Sequence, residues 1–462
     1  MEELNVYIVT SNCARNLIDV DLFAAHFFDV LPSSSSPPEL IVLSLQELAP
    51  IAYSFLGGSY LRPYFDAFIK SVQQATTRRW NESYTNLVKD HTGMTALMVF
   101  AREDIAGSIP EIDTAHVGFG FLEMGNKGAV GAHLKYASAG QPARTADLTF
   151  VAAHLAPMED GLVRRNQDWQ SIVERLVFTH GQDTQQSGPG HDQTADESTS
   201  LLKDNDHPSS HVAKRSPHNL FAPNSYLFLA GDLNYRTSNI SPLKDDHARF
   251  PKRKATPDNP NHYSHLLKED QLTREMQEGR ALHGLTEAPI HFPPTYKFSS
   301  TAQEVARQSL EANDSEAEWL WSSHRWPSWC DRILYLDDTA KSQRASGGPR
   351  APTVKPVVYD ALPLFPHSDH RPVALSAAVS LRTAVSPANP DATADGASGS
   401  SHTHTGIPFQ IDPTWRSRRD AARRKEILVG ALAYLGLTWE GNGMILASFI
   451  GLFGAWFVLR SL

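Results

Sequence analysis

Cysteine is nearly absent: Cys13 and Cys330 are the only two in 462 residues. That is too few for a disulfide scaffold, and a reducing compartment is the natural setting. Cationic excess is missing as well. Lys and Arg number 42 against 51 acidic residues, a net charge of −9, which argues against a general nucleic-acid binder. The chain has no CxxC, HExxH or GxSxG, and no glycine-rich loop ending in Lys-Ser/Thr. The common zinc, serine-elbow and P-loop chemistries are therefore not signalled. The opening segment MEELNVYIVT has no basic region followed by an apolar core, so no signal peptide is expected. No internal repeat is found.

An apolar fraction of 41% is ample for a core, and the length fits one large α/β domain with appendages as well as two domains. The organising stretch is Tyr226 to Arg236, YLFLAGDLNYR. An apolar run ends in a glycine, then Asp232, Asn234 and Arg236 follow at alternate positions, as expected of a buried strand delivering polar groups at its end. The same form recurs. Strands are expected at Asn5 to Thr10, Leu40 to Leu45, Thr95 to Phe100, Lys127 to Leu134, Leu148 to Ala153 and Val373 to Val379. Helical spacing marks Leu22, Phe23, Phe27 and Val30, then Leu61, Phe65, Phe68 and Val72. A third stripe holds Trp169, Ile172, Val173, Leu176 and Val177. Polar, apolar-poor insertions are expected at about 181–216 and 337–352, and a low-complexity linker at roughly 384–408. Strands mixed with helices predict a layered α/β fold.

The C-terminus changes character. Arg416, Arg418, Arg419, Arg423, Arg424 and Lys425 form a basic cluster, followed by Ile427 to Leu437 and then Met444 to Leu459, both apolar. A helix over Gly443 to Leu459 would span about 25 Å, short for a bilayer core of about 30 Å but workable with Trp439 and Arg460 at the interfaces. This run predicts a transmembrane helix. The first apolar run is too short to cross alone; it would lie in the interface or extend the span. The basic cluster places the globular part in the cytosol, the picture of a tail-anchored protein, and the short span suits the endoplasmic reticulum membrane. The domains read as 1–380 globular, 381–426 linker ending in the basic cluster, and 427–462 anchor.

Polar groups border the strand-like runs: Asn12, Glu47, His154, Asp232 with Asn234, and His370 in SDHRP. Sites in layered α/β folds collect where strand ends and their loops meet. The oxygen donors Glu47, Asn12 and Asp232 favour Mg²⁺, with zinc on His154 and His370 the weaker alternative.

With GDLNYR (Gly231 to Arg236) and RWPSWCDRIL (Arg325 to Leu334) the chain resembles the inositol polyphosphate 5-phosphatases, within the DNase I / AP endonuclease-like phosphoesterases. QE (Gln46, Glu47), GNKGAV (Gly125 to Val130), HLAPM (His154 to Met158), RRNQD (Arg164 to Asp168), PPTYKF (Pro293 to Phe298) and SDHRPV (Ser368 to Val373) follow in family order over about residues 1–380. An aromatic position of the family is lost twice, at Phe228-Leu229-Ala230 and at Thr10-Ser11-Asn12. Ser323 and His324 stand where basic residues often precede the arginine.

The resemblance implies a four-layer fold, a two-sheet β-sandwich flanked by helices, and a tail-anchored, fungal-type member of the family. It also implies that Glu47, helped by Asn12, holds Mg²⁺, and that Asp232 activates the attacking water positioned by Asn234. His154 and His370 donate to the phosphoryl oxygens, Asp331 orients His370, and Asp369 supports the metal or the water. Tyr296, Lys297 and Arg325 would contact the neighbouring ring phosphate, and Lys127 would add positive potential. The expected activity is removal of the 5-phosphate of phosphatidylinositol 4,5-bisphosphate, with soluble inositol phosphates as secondary substrates, by a monomer that binds no nucleic acid. A nuclease of the same superfamily and an inactive phosphoinositide-binding scaffold are the rivals.

Overall fold

Among the described residues up to 383, thirteen strands and the helices between them make up most of the computed structural model. It describes residues 2–138, 143–179, 218–221, 225–312, 318–336, 354–383 and 408–461. The two expected insertions and most of the low-complexity linker lie outside the described residues. In chain order the strands are β1 (Glu3–Asn12), β2 (Leu40–Gln46), β3 (Tyr84–Thr92), β4 (Thr95–Arg102), β5 (Glu111–Gly118), β6 (Gly128–Ala137) and β7 (Arg144–His154). Then come β8 (Ser225–Asp232), β9 (Leu285–Glu287), β10 (Asp331–Leu336), β11 (Val354–Ala361), β12 (Val373–Ser380) and β13 (Arg382–Thr383). One sheet runs β11-β12-β1-β2-β4-β3; the other runs β5-β6-β7-β8-β10-β9, with β13 on β7. Among the described residues only β1/β2 and β7/β8 pair in parallel, at the centre of each sheet.

Side chains alternate faces along a strand, and here both faces are apolar. Val6 and Ile8 of β1 with Leu40 and Val42 of β2 face inward onto Val130, Leu148, Phe150 and Phe228 of the other sheet. The intervening residues Tyr7, Val9, Ile41 and Leu43 face outward onto Phe23, Phe27, Phe65 and Phe68. On the far side Val151, Leu227 and Leu229 meet Trp169, Ile172 and Val173 of the Leu162–Arg175 helix. Each fully buried aliphatic or aromatic side chain contributes roughly 1.5–3 kcal/mol. The result is four layers, helix–sheet–sheet–helix, an α/β sandwich of two sheets flanked by helices as expected.

Two boundaries moved. The third helical stripe ends at Arg175, and Leu176 and Val177 continue as extended backbone into a bridge between Phe178 and His218; they stay buried because the chain still runs along the same apolar patch. The basic cluster is not a loose stretch either. It forms the first half of one helix, Trp415–Leu437, so the expected boundary at 426 falls inside a continuous helix. That helix packs against Ile51–Leu56. After Thr438 a second helix, Trp439–Ser461, begins. At 23 residues it is about 34 Å long, and its most apolar window has no buried share. It is the one helix among the described residues long and apolar enough to cross a membrane.

Candidate active site

The two parallel pairs bring four polar residues to one rim. β1 ends at Asn12 and β2 at Gln46, with Glu47 next. β7 ends at His154 directly beside Asp232 at the end of β8. The antiparallel neighbours add to the same rim: Asp331 opens β10 opposite Asp232, and Lys127 precedes Gly128, which pairs with His154. His370 lies three residues before Val373, the partner of Thr10. Gly231 is required by this crowding, because a Cβ there would stand 1.9 Å from Ala153 O. Glu47 (φ 46°) and Asn234 (φ 57°) are held in left-handed backbone, at a cost on the order of 1–3 kcal/mol each that the surrounding structure must offset.

A cleft of about 260 Å³ opens at this rim. Asn12, Glu47, Lys127, His154, Asp232, Asn234, Tyr296, Lys297, Asp369 and His370 all line it. Two residues named from the sequence do not. Asp331 is fully buried behind His370, and Arg325 turns to Glu159 (Nε–Oε1, 3.6 Å) and to Met158 Sδ (3.3 Å) instead of the cleft. Two further cations line it: Arg15, and Arg236 from the same strand end as Asp232 and Asn234. Arg15 reaches Glu47 Oε2 at 3.2 Å, from a loop with no sequence signal. Arg236 lies over the Tyr296 ring at 4.5 Å and donates to Asn234 Oδ1 at 2.5 Å; its alternate spacing after Asp232 was the available signal.

Asp232 is the hub. Asn12 Nδ2 donates to Asp232 Oδ2 at 2.9 Å, and Asn234 N–H donates to Oδ1 at 3.1 Å. His154 Nε2 lies 3.3 Å and His370 Nε2 4.0 Å from Oδ2. Burial pushes the Asp232 carboxyl up, but the His154 hydrogen bond and the charges of His370 and Lys127 outweigh it and hold the group well below the usual carboxylate range. His154 is pushed down by burial and then by the Lys127 amine, so its ring is neutral. Its Nε2 serves one neighbour at a time: carrying the proton it donates to Asp232, bare it accepts from Lys127 Nζ.

His370 is the opposite case. Burial lowers it, but Asp331, 2.9 Å from Nδ1, overrides burial and lifts it to about 9. Asp331 Oδ2 also accepts from Thr295 Oγ1 at 2.7 Å. Burial pushes the Asp331 carboxyl up in turn. The pair thus keeps a proton to alkaline pH, on the imidazole, with Nε2–H pointing towards Asp232 and the cleft. Beside His370, Lys297 pairs with Asp369, whose Oδ1 lies 4.0 Å from His370 Nε2.

Two groups of residues compete as a cation site. Asp232, Asp331 and His370 bring ligand atoms within 4.8 Å of one another. Asp331 is sealed, however: its Oδ2 is taken by His370 and Thr295, and its buried, unpartnered Oδ1 does not open on the cleft. Glu47 opens on the cleft, and the positive groups of Arg15 and Lys127 (3.9 Å) bracket its carboxylate. Asn12 Oδ1 accepts from Ala14 N–H at 3.0 Å and keeps a second lone pair. A hard divalent cation, which takes one or two protein oxygens and keeps the rest for water and phosphate, fits Glu47 and Asn12 and not the buried triad.

The sequence model of the Endonuclease/Exonuclease/phosphatase family 2 matches residues 9–376. The Arabidopsis thaliana protein "Type I inositol polyphosphate 5-phosphatase 13" is 33% identical over 281 residues, 60% of this chain and 22% of that protein. "Polyphosphatidylinositol phosphatase INP53" of Saccharomyces cerevisiae is 25% identical over 338 residues, 73% of this chain and 23% of that protein. The chain thus spans under a quarter of the length of these relatives. Among solved structures, the inositol polyphosphate 5-phosphatase domain of SPsynaptojanin, in complex with inositol (1,4)-bisphosphate and a calcium ion, superposes with a TM-score of 0.55 at 20% identity. The match covers 92% of this chain and 90% of that one and speaks to the fold.

Proposed function

Since the chain belongs to the endonuclease/exonuclease/phosphatase family, we propose that it is a phosphoinositide 5-phosphatase. On this reading it is a Mg²⁺-dependent phosphomonoesterase that hydrolyses the 5-phosphate of phosphatidylinositol 4,5-bisphosphate at the cytosolic face of a membrane, the endoplasmic reticulum being the proposed one. The observation that carries the reading is the meeting of Glu47, His154, Asp232 and His370, scattered over more than three hundred positions, at one cleft. The exposed Trp439–Ser461 helix supports a membrane anchor. Tethering raises the effective concentration of enzyme at a lipid substrate.

Glu47 and Asn12 would hold the cation, which when bound would neutralise charge on the phosphoryl oxygens. Asp232, ionised and fixed by Asn12 and Asn234 N–H, orients the attacking water and takes its proton. The water oxygen bonds to phosphorus, the bond between phosphorus and the oxygen on ring carbon 5 breaks, and that oxygen leaves as the 5-hydroxyl by taking up the proton that Asp232 removed from the water. His370, kept cationic by Asp331, and His154 donate hydrogen bonds to the phosphoryl oxygens as charge redistributes. Lys297 and Tyr296 face the same cleft and suit the neighbouring ring phosphate; Lys127 and Arg236 add positive potential.

The test is phosphate release from phosphoinositide vesicles and soluble inositol phosphates, with and without Mg²⁺. Phosphatidylinositol 4,5-bisphosphate should be the preferred lipid, and Asp232→Ala and His370→Ala should each lower turnover by about 10²–10⁴-fold. Phosphate release that survives both substitutions would remove the site assignment. Cleavage of abasic DNA without phosphatase activity would replace the reading with a nuclease.

A further inference from the structure

The Trp415–Leu437 helix lies between the globular domain and the apolar C-terminal helix, where a plain tether would suffice. Its buried residues are Trp415, Ala422, Glu426 and Gly430. A buried carboxylate on such a helix needs partners, and those of Glu426 lead to the cleft. Its Oε1 accepts the Gly125 N–H at 2.7 Å, and Oε2 pairs with Arg423 at 3.1 Å. Gly125 O accepts from Met94 N–H at 2.9 Å, and Met94 O accepts from Leu48 N–H at 3.2 Å. Leu48 follows Glu47, and Gly125 is two residues from Lys127. Arg423 donates to Phe55 O at 2.7 Å and to Leu56 O at 3.3 Å, the terminal carbonyls of the Ile51–Leu56 helix that starts four residues after Glu47. Gly430 permits the approach, because a Cβ there would stand 2.9 Å from Phe55 Cβ.

The two loops tied by this helix carry Glu47 and Lys127, whose side chains face each other at 3.9 Å. Glu47 is in left-handed backbone, a conformation that persists only where neighbours hold it. We propose that Glu426 and Arg423 are positioning residues for the cation-holding edge of the cleft. The helix next to the anchor is then part of the catalytic unit, and its detachment loosens the cation site. This rests on the phosphatase reading for its consequence in turnover, but the coupling itself is a statement about cation binding and loop order.

The experiment uses the full chain in detergent micelles, with Mg²⁺ titrated calorimetrically in the absence of substrate and hydrogen exchange followed at residues 47–49 and 121–128. Inositol 1,4,5-trisphosphate hydrolysis is measured in parallel across Mg²⁺ concentrations. Glu426→Ala and Arg423→Ala should weaken Mg²⁺ binding about tenfold, as loss of outer support does in metal sites, raise the half-saturating Mg²⁺ for turnover, and speed exchange in the two loops while the central strands stay protected. Glu426→Gln, which keeps an acceptor for Gly125 N–H, should restore most of the affinity. Arg424→Ala, on the exposed side, should match the parent. Parent-like Mg²⁺ binding and loop exchange in both alanine variants would overturn the proposal, as would exchange raised throughout the fold with Mg²⁺ affinity unchanged. If the parent releases no phosphate from any inositol phosphate, the phosphatase reading fails, while calorimetry and exchange still decide the coupling.

Discussion

Asp331→Asn isolates the electrostatic hold on His370 without changing shape. The carboxamide fills the same volume and keeps an oxygen for Thr295 Oγ1, but the negative charge 2.9 Å from His370 Nδ1 is gone. His370 stands at about 9 because Asp331 overrides burial, a preference for imidazolium of about 3 kcal/mol. The other groups facing the ring are Asp232 and Asp369, each 4.0 Å from Nε2, and the Tyr296 ring at 4.4 Å. Without Asp331, burial is opposed only by the charges of Asp232 and Asp369, and the imidazole falls from about 9.

The sign follows from the role. If cationic His370 donates to the phosphoryl group, activity is present below its pKa and lost as pH rises through it. At pH 7.5 the parent has about 97% of His370 protonated, against about 9% for an unshifted ring. Turnover of Asp331→Asn at that pH should therefore fall, by up to about tenfold for a fully unshifted ring, with the alkaline limb of the kcat profile moved down from near 9. The assay is phosphate release between pH 5.5 and 9.5 at saturating Mg²⁺. A loss of the same factor at every pH, or an alkaline limb still near 9, would refute the argument and leave Asp331 a packing residue.

Gly231→Ala should cost about 1–3 kcal/mol or more, because its Cβ cannot avoid Ala153 O in the middle of the sheet; a urea midpoint equal to the parent's would contradict the close approach. Arg332 is buried between Asp270 (3.0 Å) and Glu287 (2.5 Å). Arg332→Leu leaves two carboxylates behind and should destabilise by about 3–5 kcal/mol, read from the same curves. Deleting 439–461 should move the protein from the carbonate-resistant membrane fraction to the soluble one; retention in the pellet would refute the span assignment.

The interior strands were readable because burial on both faces leaves a continuous apolar run, as in LIVLSLQ of β2, and because each run stops at the rim with a polar residue. β3 and β5 bury only two positions each (Tyr84 and Val88; Ala115 and Val117), and their polar composition hides them. The site residues at strand ends were found for the same reason as the strands. Arg15 was not, since it reaches Glu47 only through the turn after β1. Arg325 was misplaced, because adjacency to a motif says nothing about which way a side chain at a loop turns. The left-handed backbone at Glu47 and Asn234 has no counterpart in composition, as neither is glycine.

The Trp415–Leu437 helix shows where a reading by composition stops. Six basic residues within ten positions look like a solvated run beside a membrane, and the whole segment has no strong apolar stripe. Yet the buried positions Ala422, Glu426 and Gly430 recur every four residues and are followed at the same spacing by Tyr434, which meets Tyr60 at 5.3 Å. This face is small rather than apolar, and small residues let two backbones approach until backbone groups become the partners. That is why, beyond pairing with each other, Arg423 and Glu426 end on Phe55 O and Gly125 N–H. A basic segment with a four-residue recurrence of small residues and one acid is therefore better read as a docking helix than as a tether. Charge neutralised on the packed face leaves Arg416 and Arg424 exposed on the other.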